Sequence, residues 1–263
     1  MLTSISILKG LNMYVFRRLG LHIVKFLHSQ VLVFRFFGHL FHSLKDVLFG
    51  ELSITWNNMV EIMYYSGARL VLPLMLLCAL IGLSVSQTAY YLLAPFHLHH
   101  KALPVAQNVI THEVLPLILG FILCVQAALH LINTRLRRHR QTPEEVILDH
   151  VWPIITGMNV TSLLLYTYAI TVILLSFYLS FHHVLGFSIH EFLLHATSST
   201  TIFDLMYCAF KTLILCLVVS FTAGYYYYEA AIRQLSLRKA VSRILTRGSF
   251  WLVIASVYIT FMI

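Results

Sequence analysis

Charge is what this chain has least of. Only 11% of its 263 residues are Asp, Glu, Lys or Arg, against about a quarter in soluble domains. That shortage excludes a water-soluble globule. Paired cysteines are also missing: Cys78, Cys124, Cys208 and Cys216 all lie inside apolar runs, with no CxxC spacing. They read as small buried residues, with no disulfide frame or zinc site implied. There is no glycine-rich phosphate loop, so no nucleotide cofactor is expected in this chain. There is no nucleophile elbow or ordered triad, so no catalytic residue is assigned. Finally, the start has no basic–apolar–cleavage pattern, because Lys9, Arg17 and Arg18 interrupt its apolar residues. A cleaved signal peptide is not expected.

What is present is hydrophobic: 59% of the residues, in runs long enough to cross a bilayer. The fold class is an all-α integral membrane protein, with N-terminal interfacial amphipathic helices followed by five transmembrane helices. Residues 1–69 form the interfacial part. Residues 11–50 suit helices lying in the headgroup region, and Ser53 to Arg69 is amphipathic, with Asn57, Asn58, Glu61 and Arg69 on its polar side. Residues 70–263 form the five-span part, with spans at 70–94, 106–132, 153–179, 203–228 and 244–263. In the first span, Ala79, Gly82 and Ser86 are spaced to let helices approach closely. Gln87 is a polar group that needs a partner in a dry setting.

The net charge of +8 is divided among the ends of these runs. Anionic headgroups are therefore the expected partner, and nucleic acid is not. Basic residues gather before the first span, between spans two and three (Arg135, Arg137, Arg138, Arg140), and between spans four and five (Arg233 to Arg247). The other two connectors together hold only Lys101. By the positive-inside rule the N-terminus is cytoplasmic and the C-terminus lies outside the cytoplasm. The longest polar connector contains a short helix, 142–151, with Thr142 as its cap and Glu145 as the capping-box partner. The fifteen histidines include a cluster at His97, His99 and His100 and a pair at His182 and His183. These read as interfacial imidazoles rather than metal ligands.

Two ionisable residues stand inside apolar runs. Glu113 lies three residues before Pro116, where a bend creates a polar notch. It is either a gate or headgroup contact, or an acid satisfied at a helix start. Lys211 either binds an anionic headgroup, pairs with Asp204 or Glu113, or snorkels. Asp204 is two turns away from it on the same face.

These residues, taken in order, resemble the MlaE/YrbE family of lipid-transporter permeases over roughly residues 35–263. Tyr64-Tyr65-Ser66-Gly67 matches the family's Y-x-x-G stretch before the first span, and Gly82 and Gln87 match a glycine and glutamine late in it. His112-Glu113-Val114-Leu115-Pro116 stands where the family has R-E-L-G-P, with Glu and Pro kept and Arg and Gly replaced. Val125 to Leu129 has lost the arginine and glycines of A-G-R-x-G. Glu144-Glu145-Val146-Ile147-Leu148 through Pro153 looks like a shortened form of the acidic coupling helix. Asp204, Lys211, Gly224 and Tyr225 correspond to an Asp, Lys and Gly-Tyr in the fourth span.

The resemblance implies a divergent permease subunit of an ABC transporter in the bacterial cell inner membrane, C-terminus periplasmic. It would move phospholipid or a similar hydrophobic molecule to or from a periplasmic MCE-domain carrier, a hexameric ring. It also implies a second copy of the chain, with a lipid cavity between the copies, and a cytoplasmic ABC ATPase that carries the ATP and Mg. Gln87, Glu113, Pro116, Asp204 and Lys211 become the cavity or gating candidates. Glu144, Glu145, Val146, Ile147 and Asp149 become the ATPase-coupling candidates. The rival readings are an ion-coupled secondary transporter using Glu113 and Lys211, a non-transporting membrane scaffold, and an intramembrane enzyme. The absence of a visible inverted repeat argues against the first.

Overall fold

The computed structural model describes residues 24, 27, 29–46, 49, 56–96, 101–133, 143–186, 188–199, 201–233 and 236–262. Expectations for residues 1–23, the His97–His100 cluster, the Arg135–Arg140 turn and the Thr142 cap lie outside these residues. Every element described is helical. The chain divides into two units, 1–53 and 54–263. In the first, residues 29–46 form helix α1. It carries an exposed i,i+4 contact between His42 and Asp46 at 2.7 Å.

The second unit contains α2 (Trp56–Met63), α3 (Arg69–Leu93), α4 (Ala102–Asn108), α5 (Leu115–Asn133), α6 (Pro143–Val146), α7 (Trp152–Leu185), α8 (Ile189–Ser199), α9 (Ile202–Arg233) and α10 (Leu237–Met262). Three π turns, Tyr64–Ala68, Val109–Val114 and Ile147–Val151, join α2 to α3, α4 to α5 and α6 to α7 without a break. Among the described residues, five helical stretches are then long and apolar enough to cross a membrane: Trp56–Phe96, Ala102–Ile132, Pro143–His183, Ile202–Arg233 and Leu237–Met262. The amphipathic segment before the first span and the short helix before the third are thus continuous with the spans they precede. At 1.5 Å per residue, α7 alone, with 34 residues, extends about 51 Å, well beyond a ~30 Å hydrocarbon core.

The apolar windows of the second and third stretches are each 56% buried, and those of the first and last only 17% and 22%. So α5 and α7 form the centre of the bundle and α3 and α10 its flanks. α5 packs on α7, α9 and α10, and α3 lies along α7. Leu119, Leu123, Ala169, Ile173, Leu215 and Cys216 fill the middle. The α3–α7 seam is tight at Gly82, where an added Cβ would stand 2.9 Å from the Cβ of Ser176. The small-residue spacing expected from the sequence serves this contact at Gly82 and Ser86, both buried. All four cysteines are free and buried.

Two of the π turns have a sequence cause. Proline has no N–H, so the carbonyl four residues earlier loses its ladder donor. Pro116 follows the second π turn by two residues, and Pro153 follows the third by the same distance. The ladder then slips to i→i−5 bonds. Leu115 N–H reaches the Ile110 carbonyl, and Trp152 N–H reaches that of Ile147.

Candidate functional site

Five alternating stretches give the bundle two ends. One bears the last residues of α5 and α9 and the first of α6 and α10, with Arg233, Arg238 and Arg243. The other bears α8. Glu113 lies on the second π turn, about 16 Å along the second stretch from its α8-end start at Ala102. Lys211 is on α9 and Thr260 near the end of α10. These three elements meet there. Lys211 Nζ donates to Glu113 Oε1 at 2.9 Å and to Thr260 Oγ1 at 3.1 Å. The Thr260 hydroxyl donates to Glu113 Oε2 at 3.0 Å. The lysine is buried at 1% exposure, whereas the glutamate side chain is 46% exposed. One side of the pair is therefore sealed in the bundle and the other is open. Of the pairings left open for Lys211 by the sequence, the structure contains the one with Glu113.

Pro116 is buried directly after this π turn and accounts for its slipped ladder. His112, which stands where the resemblance expects arginine, lies with its ring tilted 32° and 5.9 Å from that of Tyr207 on α9, one turn before Lys211. Asp204 does something else. Its carboxylate accepts from the Thr201 N–H at 2.8 Å and the Thr201 hydroxyl at 2.7 Å, and so caps α9. Gln87 is on an exposed face of α3 and does not join the pair.

The 143–151 segment divides by burial. Glu144 and Glu145 are exposed, while Val146 and Ile147 are buried at 1% and 0%. Its apolar side packs against α9, where α9 comes so close that a Cβ on Gly224 would lie 2.9 Å from Val151 Cγ1. Asp149 is partly buried, and its carbonyl, the one deprived of a donor by Pro153, accepts from Asn58 Nδ2 at 2.9 Å. The first π turn is held in the same way: Gln126 Nε2 on α5 donates to the Tyr65 carbonyl at 2.6 Å.

Sequence reasoning missed a second ionic cluster, at the arginine-rich end. Glu229, assigned to a connector, is buried on the last turns of α9. Arg243 Nη1 on α10 donates to both of its carboxylate oxygens at 2.9 Å, and Arg233 Nη1 donates at 3.0 Å. Arg247 extends the cluster by donating to the Tyr226 hydroxyl at 2.9 Å. The available signal was the i,i+4 spacing of Glu229 and Arg233.

Between α2, the foot of α5 and the third π turn lies a cleft of about 350 Å³. Glu61, Tyr65 and Arg69 line it on one side, and His130, Asp149 and His150 on the other. Among the described residues, no group of three or more His, Cys, Asp or Glu side chains is placed to hold a metal ion.

No curated protein matches the chain. Residues 146–262, from the buried part of the third π turn through the last three spans, match the model of a family described as Permease MlaE. With five apolar helices among the described residues, the chain is a multi-pass membrane protein whose residues 146–262 are similar to the MlaE permease family.

Proposed function

We propose that this chain is the membrane subunit of an ABC transporter that moves phospholipid or a similar amphipathic molecule. In this reading two copies pair around a lipid cavity, a separate ATPase binds and hydrolyses ATP, and a periplasmic MCE-domain ring receives or delivers the cargo. The arginine-rich end faces the cytoplasm and the α8 end the periplasm, as the distribution of basic residues favours. The membrane is the bacterial inner membrane. The observation that carries the proposal is the half-open ion pair. A lysine sealed at 1% exposure holds a carboxylate whose other side, 46% exposed, is available. Such a pair on a helix irregularity near one end of the bundle suits a headgroup contact or gate.

Motion reaches this pair through α9. The same helix carries Lys211 and packs, through Gly224, on the 143–151 segment. Glu144 and Glu145 present exposed acids for the ATPase, while Val146 and Ile147 anchor the segment in the bundle. A push on that segment is then delivered to α7 and α9 together.

The test is transfer of a fluorescent phospholipid in liposomes containing the chain with its ATPase. Lys211→Met is expected to reduce ATP-dependent transfer at least tenfold with ATPase assembly retained. Full transfer by that variant would remove the pair from the mechanism. Because the pair is titratable and set in a span, an ion-coupled transporter is the second reading. Transfer driven by a proton gradient without ATP would establish it in place of the first.

A further inference from the structure

The cleft at the arginine-rich end borders the 143–151 segment at Asp149 and His150, and the transport reading gives it no ligand. We propose that it binds the phosphoethanolamine headgroup of an aminophospholipid from the adjoining leaflet. The proposal goes beyond the transport reading and does not depend on it.

The lining is mixed in sign. Among the described residues it has one permanent cation, Arg69, two carboxylates, Glu61 and Asp149, and the rings of Tyr65 and His130, whose centroids are 6.5 Å apart. A simple anion would meet two acids there, and a metal ion would meet a guanidinium. A ligand with both a phosphate and a primary ammonium is complementary to both signs of the lining. The guanidinium fork fits phosphate. The ammonium fits carboxylate and aromatic faces.

The position of Arg69 distinguishes a lipid from a soluble zwitterion. Arg69 is the first residue of α3, and Leu72, Leu76 and Leu80 follow at i+3, i+7 and i+11, which places them on its face. They are 75%, 59% and 59% exposed. A headgroup in the cleft therefore has an apolar track for its acyl chain leading into the membrane.

The walls are also built to hold a shape. Two of them are π turns, a geometry concentrated at functional positions. The amides of Gln126 and Asn58 fix the Tyr65 and Asp149 carbonyls of these turns at 2.6 and 2.9 Å.

The experiment uses the full chain in nanodiscs of phosphatidylcholine doped with either phosphatidylethanolamine or phosphatidylglycerol. Native mass spectrometry counts the lipids retained per chain. One phosphatidylethanolamine is expected, preferred over the other two about tenfold, the worth of one hydrogen bond to a charged group. Glu61→Gln is expected to abolish the preference over phosphatidylcholine. Arg69→Gln is expected to lower retention of both lipids. Both side chains are exposed, so folding is not at stake, and Glu191→Gln at the other end should change nothing. Retention of phosphatidylethanolamine unchanged in both cleft variants overturns the proposal, as does a preference for phosphatidylglycerol. Free phosphoethanolamine that displaces the lipid at equal concentration overturns the assignment to a membrane lipid.

Discussion

The two ionic clusters use similar chemistry in opposite constructions. At the α8 end the cation is buried and the acid half open: Lys211 is 1% exposed and Glu113 46%. At the arginine-rich end the acid is buried, at 4%, between Arg243 at 37% and Arg233 at 29%. Glu229 has two cations and a bidentate contact, so its charge is more than matched. Lys211 has one acid and one threonine hydroxyl. The first arrangement ties the ends of α9 and α10 together. The second leaves a carboxylate face exposed to whatever lies beside the bundle. A structural lock and a binding element are distinguished here by which partner is sealed.

Removing the open partner of each cluster tests this difference most directly. Glu113→Gln strands a buried ammonium, and breaking such a pair costs about 3–5 kcal/mol. Unfolding in detergent should show the largest loss of any variant considered. The paired change Glu113→Leu with Lys211→Met removes both charges and should recover most of the loss, while leaving lipid transfer impaired. If Glu113→Gln unfolds at the wild-type midpoint, the lysine is not neutralised by this acid, and the contrast between the clusters collapses.

The other cluster should yield less. Arg243→Met removes both bonds to Glu229 from α10 but leaves Arg233 in place, a loss of about 1–3 kcal/mol for hydrogen bonds to a charged group. Arg233→Met removes a partly exposed i,i+4 pair with Glu229, a contact worth about 0.5 kcal/mol or less. Arg243→Lys keeps the charge without the planar fork, and should fall between the two. An equal loss for Arg233→Met and Arg243→Met would show that the inter-helix bond is not what holds Glu229.

The carbonyl clamps come next in size. Asn58→Leu and Gln126→Leu each remove a side-chain donor from a π-turn carbonyl, a net effect of about 1 kcal/mol. Hydrogen exchange should rise at residues 147–151 in the first variant and at 64–68 in the second, with the Glu113 site unchanged. Faster exchange at all three π turns in either variant would mean that the turns form one cooperative unit.

The legible parts of this molecule were those governed by composition. Five spans follow from apolar runs of bilayer length, and the family likeness read from the sequence agrees with the match over residues 146–262, the part that holds Asp204, Lys211 and Gly224. Contacts across the bundle were not legible. Lys211 had two acids to choose from by sequence. The choice depends on the register between α9 and the second π turn, which no local pattern sets. Asp204 was the nearer acid in sequence, and it is taken by Thr201 as a helix cap. Glu229 was hidden because it stands between the tyrosine run that ends the fourth apolar stretch and Arg233, so it reads as the first residue of a connector. Its inter-helix partner, Arg243, is fourteen residues on. The π turns were half visible. Pro116 and Pro153 mark the lost donors, but Asn58 lies 91 residues from the Asp149 carbonyl it serves.

A third acid offers the smallest effect and a control for the other two. Glu191 caps α8, accepting from the Ser188 N–H at 2.9 Å and its hydroxyl at 3.0 Å. These bonds, the backbone one first, hold its carboxyl below the usual glutamate range. A depressed carboxyl stabilises the fold above its unfolded value, and that contribution is lost as pH falls through the folded value. Protection of the α8 amides should thus be flat from neutrality to the ordinary carboxylate range and fall below it. Glu191→Gln should give the acid-state protection at neutral pH, with no change at Glu113 or Glu229. A solvated cap that loosens only its own helix sets the baseline for an acid without a buried partner. A wider effect from Glu191→Gln would link α8 to the half-open pair at the same end of the bundle.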